Sequence, residues 1–192
     1  SFSTVMPAVF GSAELVGTFG WVKRFRNGIR VSSRSSSLVL FFCAGWVMLV
    51  LLLVWPRYFF PFVWIAIFFI LEPLNYWLGN TSLLPSLEQG DWRQVLLLWA
   101  GCLVCGFFWE MWNYYSYPKW VYTVPFVDFA HLFEMPLLGY GGYLPFSLEL
   151  FALYHLSMRI LGGKKSRMLL QIIDDSSLPP HPLKGAAPKN GT

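Results

Sequence analysis

The sequence predicts an all-α fold: a polytopic membrane helical bundle of about four transmembrane helices with an interfacial external segment. Three observations predict it. Residues 38–55, 58–78, 95–115 and roughly 144–161 are apolar stretches that reach or approach the about 20 residues a helix needs to cross the hydrocarbon core. Only 12% of residues are charged, against about 25% in an average soluble domain, and 56% are hydrophobic. The basic residues also segregate. Lys23, Arg24, Arg26, Arg30 and Arg34 precede the first stretch, Arg93 lies between the second and third, and Arg159, Lys164, Lys165 and Arg167 close the last. Only Arg57 and Lys119 fall on the other side.

Taken in order, residues 1–36 read as an N-terminal cytoplasmic or interfacial basic segment. Its mildly apolar beginning is broken by Pro7, Gly11, Gly17 and Gly20, too interrupted for a span, and residues 23–37 are a basic, Ser-rich connector. The chain begins without Met, so its start is expected to be processed or truncated. Residues 37–163 form the transmembrane bundle. Spans one and two are joined by little more than Trp55-Pro56-Arg57, which forces an antiparallel hairpin. Pro73 is expected to kink or end span two, because proline lacks the amide that continues the ladder. Residues 79–93 are a short polar loop. Residues 116–137 form an apolar external segment, extended or short-helical, that caps the bundle. The glycine-rich run 138–145 is expected not to form regular helix and to serve a close backbone crossing. Residues 164–192, rich in Ser and Pro, read as a disordered cytoplasmic tail.

The positive-inside rule then places both termini in the cytoplasm and the 116–137 segment outside, with a bacterial inner membrane the expected setting. The basic tail is read as a topology signal and anionic-lipid contact, and nucleic acid is not expected as a partner. Cys43, Cys102 and Cys105 lie within predicted spans without His or acid partners at ligand spacing, so no metal site is expected.

Function is sought among the acids at membrane depth, since an ionisable residue there is a functional-site hypothesis by default. Glu72, Glu110, Glu134 and Glu149 are the candidates, with Asp128 and His131 in the external segment and His155 in the last span. Glu72-Pro-Leu-Asn75-Tyr76 and Glu110-Met-Trp-Asn113-Tyr114 share Glu-x-x-Asn-Tyr, a spacing that stacks Glu and Asn on one helix face. The antiparallel spans put the two copies near opposite membrane faces. Each acid has two readings: interhelical hydrogen bonding, or a proton donor whose burial raises its pKa.

The runs Trp109-Glu110-Met111-Trp112, Lys119-Trp120-Val121-Tyr122 and Phe133-Glu134-Met135-Pro136-Leu137 resemble the small membrane lycopene cyclases over residues about 107–146. Where that family has a Pro-x-acid-acid motif, this chain has the single acid Glu134 followed by Pro136. The resemblance implies a helical bundle with a lipid-accessible cavity for a long isoprenoid or polyene. Cyclisation protonates a terminal double bond and stabilises a carbocation, which aromatic faces do through their quadrupoles. Glu110 and Glu134 are accordingly the candidate catalytic acids. Trp109, Trp112, Asn113, Trp120, Tyr122 and Glu149 are the candidate ligand-binding residues. A bound carotenoid, quinone or other lipid is the expected ligand. The alternative is a non-catalytic accessory subunit of a large photosynthetic or respiratory membrane complex, packed against partner helices and pigments.

Overall fold

A computed structural model describes residues 2–19, 22, 25, 27–122 and 129–162. The tail 164–192 and Asp128, both read from sequence above, lie outside these residues. The described elements are α1 (Phe2–Gly17), α2 (Ser35–Val54), α3 (Pro56–Phe59), α4 (Val63–Trp77), α5 (Leu84–Glu88), α6 (Arg93–Tyr115), a two-stranded hairpin of β1 (His131–Leu132) and β2 (Met135–Pro136), and α7 (Tyr143–Ile160). The strands pair antiparallel, Leu132 opposite Met135.

Among the described residues, three helices are long and apolar enough to cross a membrane: Ser35–Val54, Pro56–Trp77 and Arg93–Tyr115. The fourth expected span is helical as α7, but Glu149, His155 and Arg159 lower its hydropathy, and it does not join that group. In the second span α3 passes through a 3-10 turn at Phe60–Phe62 into α4. Pro61 lies in that turn, where its missing amide and bulky ring favour a tighter winding.

The helices pack side by side in the order α2, α4, α7, α6, α1. Gly45 of α2 lets the backbone of α4 approach, since a Cβ there would lie 2.8 Å from the Ala66 carbonyl oxygen. Phe41 stacks on Phe69 and Phe42 on Trp77, the antiparallel order the short Trp55 turn requires. Between α4 and α7, Trp64 meets Phe146, and Asn75 Nδ2 donates to the Ala152 carbonyl at 2.7 Å, so these two run parallel.

Three expectations are corrected. Pro7 and Gly11 do not stop residues 2–17 from forming α1, whose Val9 and Ala13 are fully buried. Packing overrides local propensity here, because Gly101 of α6 opens a seat in which Ala13 sits against the helix backbone. Pro73 does not end α4, which continues to Trp77 with Pro73 itself buried. The neighbouring Glu72 and Asn75 fix that turn from both sides. Glu72 Oε1 accepts from Ser82 Oγ (2.7 Å) and from the Leu83 and Leu84 amides, while Asn80 Nδ2 donates to Asn75 Oδ1 at 2.8 Å. Finally, Leu137–Gly142 in the glycine-rich run winds as a 3-10 helix leading into α7.

α1 runs antiparallel to α6, with Ala13 against Gly101 and Ser12 Oγ 3.2 Å from Cys105 Sγ. The Phe2 end of α1 therefore lies beside the Tyr115 end of α6, and the Ile160 end of α7 lies at the opposite end of the bundle. This arrangement does not carry the expectation that the chain enters and leaves on one face, because α1 was not counted among the crossing helices. The basic residues do segregate. Val31 bonds Leu87, and Arg159 donates to Asn80, so Arg30, Arg34, Arg93 and Arg159 share one end while Arg57 and Lys119 occupy the other.

If α1 and α6 depend on this close seat, Gly101→Val should lower the stability of the detergent-solubilised protein by roughly 1–3 kcal/mol, the usual range for overpacking. Gly11→Ala, where an added Cβ meets nothing within 4 Å, should leave it unchanged or slightly raised. Equilibrium unfolding in micelles reads both.

Candidate functional site

The last two turns of α6 carry Glu110, 2% exposed, on the face that looks toward α7 and the connector. Its Oε1 accepts two phenolic hydrogen bonds, each 2.8 Å, from Tyr122 and Tyr143. Its Oε2 is buried with no hydrogen-bond partner among the described residues. Each phenol is placed by a separate device. Tyr143 begins α7, and its ring lies over Gly106, one turn before Glu110 on the same face of α6; a Cβ at 106 would come 2.6 Å from that ring. Tyr122 arrives through the connector after α6, which Asn113 pins down. Asn113 Nδ2 donates to the Trp120 carbonyl at 2.9 Å, and the Trp120 amide donates to Asn113 Oδ1 at 2.7 Å. Ser116 Oγ donates to the Asn113 carbonyl at 2.9 Å, satisfying one of the carbonyls a helix C-terminus leaves unpaired.

Together these groups line an open cleft of about 390 Å³: Trp109, Glu110, Trp112, Asn113, Ser116, Trp120, Tyr122 and Tyr143. Six of the eight residues singled out from sequence are among them. Glu134 and Glu149 are not. Glu134 on the hairpin turn forms an ion pair with Lys119, whose ammonium also lies 5.2 Å from the Tyr114 ring centre. Its partner is thus a cation on the connector, and the pair ties hairpin to connector. Glu149 is buried on α7 with Oε2 unpartnered among the described residues. It stands six residues beyond Tyr143, about 9 Å further along the axis and on another face. Tyr143 and Ser116 were missed. Tyr143 directly follows the glycine run, and its contact with Gly106 joins residues 37 positions apart, which no local pattern marks.

Among the described residues, no group of three or more His, Cys, Asp or Glu is placed to hold a metal ion. Cys102 and Cys105 are buried and Cys43 is exposed, all as free thiols. His155 packs edge-on against Phe151, ring centres 4.4 Å apart.

The arrangement offers a small-molecule-sized cleft, within the usual 300–1,000 Å³ range, with three indoles, two phenols and one carboxyl oxygen still to be satisfied. An apolar track leads away from it. Val104, Phe108 and Trp112, spaced one turn apart on α6, are all exposed, and Trp112 also lines the cleft. No family model matches the chain, and neither curated proteins nor solved structures include one similar to it. The class of protein defined here is therefore a helical bundle with membrane-length helices and an aromatic cleft around a buried acid.

Burial, followed by the hydrogen bond to Glu110, pushes the Tyr122 phenol above its ordinary range. Burial, followed by the nearby Glu110 carboxyl, pushes Tyr140 up to about 12. Both hold their protons more tightly in the folded chain than in the unfolded one, where tyrosine ionises near about 10. Their contribution is complete below that unfolded value and is lost as pH rises through the folded one, so unfolding free energy should decline above pH about 10. A Tyr122→Phe/Tyr140→Phe double variant should show a shallower decline and fewer late-titrating tyrosines by ultraviolet difference absorbance.

Proposed function

We propose that this protein binds one end of a long isoprenoid or polyene in the aromatic cleft and acts on it there, with Glu110 as the proton donor. The observation that carries the reading is the Glu110 carboxyl, buried, held through Oε1 by two phenols, and lining a cleft walled by Trp109, Trp112 and Trp120. Two donors on one oxygen fix the carboxyl plane and leave Oε2 for the transferable proton. In the step itself, the proton moves from Glu110 to the CH carbon of the polyene's terminal trisubstituted double bond. The π electrons of that bond form the new C–H bond, and a tertiary cation remains at the neighbouring carbon. Attack by an internal double bond closes a ring, and loss of a ring proton to water gives an isomer of the starting polyene while the Glu110 carboxylate is reprotonated from solvent. Trp and Tyr faces lower the energy of the cation while it exists.

The cleft takes an end group, not a whole extended polyene. The Val104–Phe108–Trp112 track supports placing the remainder of the chain along α6, facing the bilayer. Glu134, engaged by Lys119, serves in this reading to hold the connector over the cleft instead of donating a second proton. Three-helix apolarity supports an integral membrane setting, and the clustered arginines support that end of the bundle as the cytoplasmic one.

The test is turnover of an acyclic C40 polyene by the purified protein in lipid nanodiscs prepared in D₂O. The expected product is cyclic, of unchanged mass apart from one deuterium per ring closed. Glu110→Gln should lose product formation by roughly two to four orders of magnitude, as removal of a general acid does, while still retaining the polyene on extraction. Equal turnover by the Gln variant would refute Glu110 as donor. Recovery of the chain only within a larger particle carrying other subunits, with no bound polyene, would favour the accessory-subunit reading.

A further inference from the structure

The opposite end of the bundle holds a second, unrelated pocket of about 410 Å³, lined by Arg30, Val31, Ser32, Ser33, Arg34 and Glu88. It sits directly below the N-terminus of α2, the most apolar of the membrane-length helices. We propose that it binds the phosphodiester headgroup of a membrane phospholipid.

The pocket is built, not a loose basic tail. The segment that carries it is strapped to α5 and the turn before α6 at three points. Gly28 donates to the Gly90 carbonyl at 2.7 Å, Val31 to Leu87 at 3.1 Å, and the Trp92 indole to the Ile29 carbonyl at 2.7 Å. Gly90 has φ +80°, and its close approach to Gly28 leaves no room for a side chain. Of the other arginines placed at this end, Arg93 is occupied by Asp91 in a two-pronged ion pair and Arg159 donates to Asn80. Arg30 and Arg34 have no ion-pair partner among the described residues, although Glu88 shares the lining.

Charge and geometry favour a single phosphodiester. Two guanidiniums and one carboxylate leave the lining at a net charge of +1, matching one phosphate of one negative charge. Arginine presents paired donors at the spacing of phosphate oxygens. Arg34 caps α2 without any side-chain hydrogen bond to the helix, and its carbonyl accepts from the Ser37 and Leu38 amides, so only the Ser35 and Ser36 amides ahead of these are left to face an anion. Glu88 on the rim can accept from a headgroup hydroxyl or ammonium.

A lipid, not a free anion, is favoured by what lies along the helix beyond the pocket. Leu40, Cys43, Val47, Val50 and Val54 recur at helical spacing and are all exposed, forming one apolar stripe that runs the length of α2. An acyl chain on that stripe and a phosphate between Arg30 and Arg34 belong to one molecule held at the interface.

The experiment is native mass spectrometry and thermal unfolding of the full chain, delipidated in detergent. The probes are phosphatidylglycerol, the matching diacylglycerol, and inorganic phosphate. Phosphatidylglycerol should give a discrete one-lipid adduct and raise the unfolding midpoint, with binding that weakens as salt is added. Arg30→Gln/Arg34→Gln should weaken it about thirtyfold, as the loss of two interfacial cations implies. Arg30→Lys/Arg34→Lys should restore most of it, and Arg57→Gln at the far end should not matter; together these separate a lost site from a misfolded chain. Diacylglycerol binding as well as phosphatidylglycerol, or unchanged binding by the double Gln variant, would overturn the proposal. Stabilisation by inorganic phosphate with none by phosphatidylglycerol would reassign the pocket to a free anion and overturn it as a lipid site.

Discussion

Close approach at two glycines of α6 governs both the bundle and the cleft. At Gly101 the backbone of α1 comes so near that a Cβ would lie 2.5 Å from the Ala13 nitrogen; at Gly106 the ring of Tyr143 fills the space a side chain would occupy. Lipid tails are as apolar as leucine, so helices in a bilayer gain little from hydrophobic burial and associate through tight packing and hydrogen bonds. The two glycines supply the first and enable the second. With Tyr143 lying flat over Gly106, its hydroxyl reaches Glu110 one turn on. Shape complementarity at one level of the helix thus fixes polar geometry at the next.

The paired Glu-x-x-Asn-Tyr segments solve one problem twice. At the end of α4, Glu72 gathers the amides of the following loop onto Oε1, and Asn75 donates to a carbonyl of α7. At the end of α6, Glu110 gathers two phenols onto Oε1, and Asn113 donates to a carbonyl of the connector. In both cases a helix ends, and the chain beyond it brings polar groups that need partners. The difference lies in what each Glu accepts. Glu72 satisfies backbone amides and is a structural acceptor. Glu110 satisfies side chains that line an open cleft.

Much of this was legible in sequence, and for stated reasons. Long apolar runs marked the membrane-length helices because hydropathy acts locally. Trp109, Glu110, Trp112, Asn113, Trp120 and Tyr122 were found because they cluster within 14 residues. What escaped was non-local. α1 looked broken by Pro7 and Gly11, yet its stability comes from a seat on α6 more than 80 residues away in the chain. Tyr143 belongs to the cleft through Gly106, a glycine whose importance lies in an absent side chain. Glu134 resembled a second acid, but the cation that engages it, Lys119, sits 15 residues upstream, and only the folded connector brings them together. Pro73 signalled a break that the surrounding polar anchors of α4 override.

Asn113 has a consequence of its own. Its side-chain amide meets both the N–H and the C=O of Trp120, as a neighbouring strand would, and so acts as a single rung that sets the phase of the connector against α6. Trp120 and Tyr122, two residues apart beyond this anchor, both line the cleft. The chemistry of the cleft is therefore indexed by a count of residues. Adding or removing one residue between 114 and 119 would shift which side chains reach Glu110, so the length of this stretch is constrained independently of the contacts that Ser116 and Lys119 make.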